Sequence, residues 1–303
     1  MNSSTSSLVL VPAAAIDLHL HTIFSDGDWA PEQLLEHLAR ENFSLAAVTD
    51  HDRADTVLAL QQLALEKHLP LLVAAEMTTL WNDELSGKDD LSGLDNMTDL
   101  LCFGFGPPPN ALNDIALDLL RRQRENTREV FENLQRKGYA FPQEPDALAS
   151  LLEQPGPQQP HALAALLKRH GYGAGEPSVG RIVLEAGCAF AMNDLAAVVD
   201  AAHRSGAVCL IAHPGHTDGF VTYDAQMLDK LRRDIPIDGL EIHTPKHTPD
   251  QTALYLDYAR RHRLLVSAGS DSHRPEKPPI RYPAELCRGL LERLGIEERM
   301  EQA

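Results

Sequence analysis

Short apolar runs alternate with longer amphipathic stretches along most of the chain, which is the pattern of parallel β–α units. Residues 16–20, 44–49, 71–75, 99–105, 207–212, 239–242 and 264–269 read as strands. Between them the period lengthens to that of a helix. Over residues 31–41 Pro31 stands in a first-turn position, and over 249–262 Thr248 is the expected N-cap. Strands in this alternation with helices predict an α/β barrel with its helices outside. The spacing breaks once, after Phe105, where helical periodicity with Pro and Gly punctuation runs on to Ala207 with little strand signal. The expected division is therefore a barrel of residues 14–106 and 200–303, with a helical insertion of 107–199. Residues 81–97, rich in Asp, Gly, Ser and Asn, read as an exposed loop or hairpin, and 283–300 as a final outer helix.

Composition adds limits. With 303 residues, 43% of them hydrophobic, the chain can fill a barrel core and still carry an insertion. Its net charge of −17 repels a polyanion over most of the surface, so duplex nucleic acid is not an expected partner. A small anionic substrate stays compatible where bound cations reverse the local sign. Cys102, Cys188, Cys209 and Cys287 form no CxxC pair, which suits a reducing cytoplasm. The first residues lack a basic region and Pro12 interrupts their apolar stretch, so a secretion signal is not expected. Nowhere do eighteen apolar residues run together, so neither is a membrane span.

The chemistry gathers at the strand ends. In IDLHLHTIFSDGD, strand alternation predicts Asp17, His19 and His21 on one face. Later strands lead into Asp50, His51 and Asp52, into Glu76, into His213, and into Asp271 and His273. Each residue type is common, and a single occurrence decides nothing. Agreement at five strand ends does, because barrel enzymes build their sites at the C-terminal ends of the strands. Imidazole mixed with carboxylate suits Zn, Mn or Fe, and the number of donors fits two or three divalent ions better than one.

The motifs HLHTIFSDGD, AVTDHD, AAEMT, IAHPG and AGSDSH, in that order, resemble the PHP (polymerase and histidinol phosphatase) domain family. The stretch QPHALAALLKRHGY and the C-terminal GLEIHTPKHTPDQTALYLDYARRHRLLVSAGSDSH are similar to its stand-alone phosphoesterase branch, that of the 3′,5′-nucleotide bisphosphate phosphatases. The resemblance implies a distorted (β/α)7 barrel with a helical insertion. It also implies that His19, His21, Glu76 and Asp271 hold one metal ion, Glu76 bridges to a second held by His213, and Asp26, His51 and His273 hold a third. His161, Lys246, His243 and Arg274 are the implied substrate contacts. Asp271 and His247 are the implied catalytic residues, with His247 protonating the leaving group. The chain departs from the pattern at Leu101, where the family usually carries a histidine, and at Gln159, where it carries an arginine. Arg53 is either a surface residue or a substrate contact. His37, His68, His170, His203 and His262 lie in helical stretches and read as surface residues.

The implied activity is that of a metal-dependent phosphoric ester hydrolase. A metal-bound hydroxide would attack the phosphate monoester of a small substrate, a 3′,5′-bisphosphonucleoside or short oligonucleotide. Two rival readings keep the metals. One is a carbon–nitrogen (amide) hydrolase, which a lysine inside the barrel would mark. The other is a non-catalytic metal-binding module, which would bind phosphate ligands without hydrolysing them.

Overall fold

The structure of the protein, a computed structural model, describes residues 8–81, 97–217 and 220–299. Its strands are β1 Val9–Leu10, β2 Ala15–Leu20, β3 Leu45–Val48, β4 Leu71–Leu72, β5 Ala74–Leu80, β6 Met97–Phe103, β7 Asn193–Asp194, β8 Val208–Ile211, β9 Gly239–His243, β10 Leu265–Ala268, β11 Tyr282–Pro283 and β12 Glu297–Glu298. The described residues divide into two compact units, one within Met1–Ile115 and Asn193–Ala303, the other Ala116–Met192.

In the first unit, β11, β2, β3 and β4 form one sheet and β10, β9, β8, β6, β5 and β7 another. Isolated bridges join the two at both seams, His51 to Glu76 on one side and Leu20 to Ser272 on the other. The strands therefore follow one another in the order of the distorted barrel that the resemblance implies, two sheets joined by single bridges, with helices such as Pro31–Arg40 and Val57–Glu66 packed on them. Those two bury Leu34, Leu35, Leu38, Leu60 and Ala64 in the cluster that holds Ala46 and Val48 of β3. The helix Pro249–His262 begins with the expected cap, Thr248 accepting from the backbone of Gln251 in a capping box.

The interior is layered. Ile16, Leu18, Leu45, Ala47, Leu72, Ala74, Leu101, Phe103 and Leu210 fill it as one apolar cluster. The next inward positions of β5 and β6 toward the mouth are Glu76 and Asp99, both buried. The polar site thus rests on an apolar floor.

The structure corrects several expectations. Strand β6 pairs antiparallel with both β5 and β8, not parallel, because an apolar run looks the same read in either direction. The strand expected to end before Glu76 continues through MTTL to Leu80, so Glu76 lies inside it. Asp17 does not share a face with His19 and His21. The pairing of β2 with β3 is irregular between Asp17 and Leu20; Ile16 and Leu18 pack in the interior, while Ala15 and Leu20 pack under the outer helices. The expected final helix spans only Arg288–Arg293, because Gly295 turns the chain at φ +81° and Glu297–Glu298 pairs with β1. Of the loop read at 81–97, residues 82–96 lie outside the described residues, and Met97 already begins β6.

In the second unit the helices Ala147–Glu153, Gln159–Arg169 and Val179–Glu185 pack with the latter part of Ala111–Arg136 around Val130, Leu134, Leu163, Leu166 and Ile182.

Candidate metal centre

At the barrel mouth the ring nitrogens and carboxylate oxygens of His19, His21, Glu76 and Asp271 face one another. The Nε2 atoms of His19 and His21 are 3.0 Å apart. Glu76 Oε2 lies 3.0 Å from the first and 3.1 Å from the second, and Asp271 Oδ1 lies 3.4 and 3.3 Å from them. Metal–ligand bonds of 2.0–2.1 Å in a tetrahedron put the donor atoms roughly 3.3 Å apart, so these four side chains already stand at the edges such an ion requires. Beside them, Asp26 Oδ1 is 3.3 Å from His273 Nε2 and its Oδ2 is 4.0 Å from His51 Nε2, which makes a second group of donors. His213 Nε2 lies 3.4 Å from Glu76 Oε1. The eight residues singled out from the sequence are thus gathered at one mouth.

Other side chains aim these donors. Glu241, fully buried on β9, sits 2.9 Å from His19 Nδ1 through Oε1 and accepts from the backbone N–H of His213 through Oε2. A proton shared with Glu241 at Nδ1 leaves His19 Nε2 as a donor to an ion, the arrangement usual around metal-bound histidine. His51 Nδ1 is held by Thr78 Oγ1 and His273 Nδ1 by the Asp271 carbonyl. Asp50 accepts from Thr22 N, Thr22 Oγ1 and Ser25 Oγ, each at 2.7 Å, and so fixes the turn that carries Asp26. Asp17 accepts from the N–H groups of Ser270 and Ile280, which ties down the loop bearing Asp271 and His273. Gly269 is required by close approach: a Cβ there would stand 2.2 Å from the Cβ of His19 and 2.7 Å from Glu241 Oε1. Asp271 and His213 both sit at positive φ, 53° and 29°, a conformation that non-glycine residues rarely adopt and that sites hold by surrounding contacts.

The electrostatics call for cations. Donor atoms of Glu76 and Asp271 lie within 4.8 Å of each other, where two negative charges repel by roughly 3.5 kcal/mol at an effective dielectric of 20. Burial by itself would raise both carboxyl pKa values, but His19 and neighbouring imidazoles hold them well below the usual range. In return, burial would lower His21, and contacts with Asp271 and Glu76 outweigh it and push it to about 10; Glu76, Glu241 and Asp271 likewise hold His19 well above its usual value. Divalent ions would balance this concentration of negative charge directly. Glu76 Oε1, Asp99 Oδ1 and the Nδ1 atoms of His21 and His213 are buried with no hydrogen-bond partner among the described residues. Burial, with repulsion from Glu76, Asp52 and Asp271, pushes the Asp99 carboxyl well above the usual range. The donor set fits divalent ions, with the mixed imidazole and carboxylate chemistry of Zn, Mn or Fe.

Around this cluster, Lys246 Nζ lies 3.0 Å from Asp271 Oδ2 with a third of its side chain exposed, and His243 is half-buried nearby in sequence at the end of β9. His247 is differently placed. Its Nδ1 faces the Ile242 carbonyl at 3.0 Å and its Nε2 accepts from Gly215 N–H, so both nitrogens are engaged by backbone and the ring braces the turn after His213. Arg274 is mostly exposed, 3.9 Å from Asp28. Arg53 donates to the Phe24 carbonyl and to Asp55. His161 lies in the second unit, exposed, its ring 5.5 Å from that of Phe190. Gln159 of that unit is fully buried, accepts from Thr127 Oγ1 and donates to the Gln154 carbonyl, which makes it a packing residue. Two site residues escaped the sequence reading: Glu241, whose signal was a charge inside the apolar run GLEIH, and Asp99, the first residue of its expected strand.

No family model matches the chain. It is 25% identical over 271 residues to a 3′,5′-nucleoside bisphosphate phosphatase of Chromobacterium violaceum, covering 86% of this chain and 88% of that one. It is also 25% identical over 288 residues to the 5′-3′ exoribonuclease Rnm of Salmonella typhimurium, covering 87% and 86%. Among solved structures it is similar to a protein described as a metal-dependent phosphoesterase from Bifidobacterium adolescentis, with a TM-score of 0.68, 24% identity and coverage of 93% and 97%. A structure described as an amidohydrolase from Chromobacterium violaceum gives a TM-score of 0.67 at 23% identity, with the same coverage. The family resemblance and the expected hydrolase class agree with these relatives.

Glu241→Gln is expected to weaken metal binding by about 10- to 100-fold, measured by competition with a chromophoric chelator, because His19 loses its anionic partner. Unchanged affinity would show that Glu241 only packs. Because ligation needs deprotonated imidazole nitrogen while the surrounding carboxylates favour the protonated forms of His19 and His21, ion uptake is expected to release protons and to strengthen as pH rises from about 6 to 9. Calorimetry in buffers of different ionisation enthalpy reads this directly; no proton release would contradict the charge balance described.

Proposed function

We propose that this protein, a metal-dependent phosphoesterase of the PHP type, hydrolyses a phosphate monoester of a small nucleotide, either a 3′,5′-bisphosphonucleoside or the end of a short oligonucleotide. The observation that carries the reading is the set of four donors spaced for an ion, in a chain similar to proteins named as a 3′,5′-nucleoside bisphosphate phosphatase and a 5′-3′ exoribonuclease. In this reading His19, His21, Glu76 and Asp271 hold one ion, Asp26, His51 and His273 another, and Glu76 with His213 a third position between carboxylate and imidazole. Divalent ions held there supply a Lewis acid for the phosphoryl oxygens and an activated water at neutral pH.

The chain's own residues then bind and orient. Glu241 keeps His19 in the tautomer that presents Nε2, and Asp50 keeps Asp26 over the site. Lys246, already beside Asp271, offers an ammonium to a phosphate at the rim, and His243, whose pKa is lowered by burial and by His247, is a neutral imidazole available for a hydrogen bond. His247 acts as a positioning residue, since delivering a proton to the leaving oxygen would require breaking one of its backbone bonds. The net charge of −17 favours a small anion held by local ions over a long polyanion. The described strands carry no lysine, which leaves the amide-hydrolase reading without the residue that would mark it. The four cysteines are unpaired thiols, as a cytoplasmic protein would have.

Phosphate release from a panel of 3′,5′-bisphosphonucleosides, nucleoside monophosphates, short oligoribonucleotides and sugar phosphates tests the reading. The nucleotides are expected to be turned over at least tenfold faster than the sugar phosphates, with activity abolished in the His19→Ala/His21→Ala double variant. Equal rates on sugar phosphates would overturn the nucleotide assignment.

A further inference from the structure

Strand β6 runs against its neighbours, so its first residues lie at the barrel mouth and its last at the floor. Going up from the floor, its inward positions are Phe103, then Leu101, both in the apolar core, and then Asp99. Leu101 lies opposite Glu76 and Asp99 opposite Thr78, on the same face of the sheet. The Asp99 backbone carbonyl accepts from Ala212 N, which fixes this segment directly beside the turn that carries His213. Asp99 is 3% exposed, and its Oδ1 has no hydrogen-bond partner among the described residues. Glu76 Oε1, which Oε2 leaves spare while facing His19 and His21, is in the same condition. Asp99, Glu76 and His51 each offer a donor atom, all within 4.8 Å of one another, and on its other side Glu76 presents Oε1 to His213 Nε2 at 3.4 Å. Two buried carboxylate oxygens without a hydrogen-bond donor, with imidazoles at their edge, are a pair that a cation would satisfy.

We propose that Asp99 is a metal ligand of this chain: with Glu76 it holds a divalent ion, within reach of His51. The inference rests on the metal-dependent phosphoesterase reading for the presence of ions, and goes beyond it in their ligation. Leu101 keeps the floor apolar, and the carboxylate one inward position nearer the mouth takes up the ion. A position built on two carboxylates is oxygen-rich, and so favours a harder ion such as Mn(II) over Zn(II) relative to a histidine-rich one.

The test is to load wild type, Asp99→Asn and Asp99→His protein with Mn(II) or Zn(II), desalt, and count ions per chain by elemental analysis. Wild type is expected to retain one more Mn(II) per chain than Asp99→Asn, while Asp99→His retains the ion with its preference moved at least tenfold toward Zn(II). If Asp99 were only a buried neutral acid, the isosteric amide would serve as well, and equal ion counts in wild type and Asp99→Asn would overturn the proposal. Should Asp99→Asn fail to fold, Asp99→His decides: an unchanged Mn(II) to Zn(II) preference overturns it. Wild type with a full ion count and no phosphate release from any nucleotide would sink the substrate reading and leave the ligand assignment standing. Wild type that retains no ion would sink both.

Discussion

Several carboxylates and imidazoles are buried at the end of an apolar barrel, and that concentration of charge is tolerable only if positive charge enters with it. Glu76 is the centre of the problem. It faces His19 and His21 with one oxygen and His213 with the other, and lies close to Asp99 and Asp271. Around divalent ions the same donors would become ligands, and their mutual repulsion would turn into affinity. The geometry of the mouth follows from this constraint, because donors that must share charge have to converge within a few ångströms.

The fold meets that demand with local devices, each of which gives up regular structure. The irregular pairing in β2 lets Leu18 face the core while His19 and His21 reach the site, and sends Asp17 sideways to hold the loop that returns with Asp271. Gly269 lets that loop pass against His19 and Glu241 with no room for a methyl group. Positive φ at Asp271 and His213 turns two donors inward immediately after their strands. Beneath them the interior is filled by apolar side chains, a low-dielectric surrounding that strengthens the electrostatics above it.

Much of this was legible in the sequence. The strand periodicity points to the barrel, and the charged residues that follow the parallel strands, His51, His213, Asp271 and His273, make up half of the eight candidate donors, because a parallel strand delivers its last residues to the mouth. Direction was not legible. An apolar run carries no sign of which way it points, so the β–α alternation implies a parallel β6, whose first residue, Asp99, would stand away from the mouth. Glu241 gives no signal of its own, because it lies inside a strand and acts through His19. Gln159 could be noticed only as a departure; that it packs against Thr127 and Gln154 is a tertiary fact. The engagement of both His247 nitrogens by backbone groups is likewise invisible without the fold.

The measurement that bears most directly on the central claim is anomalous X-ray diffraction from crystals of the protein grown without chelator, collected on both sides of the Mn, Fe and Zn absorption edges. Two or more anomalous peaks inside the cage formed by His19, His21, Glu76, Asp271 and their neighbours is the expected result. A crystal with no anomalous peak there, and the four donors hydrogen-bonded to one another at the separations described, would contradict it.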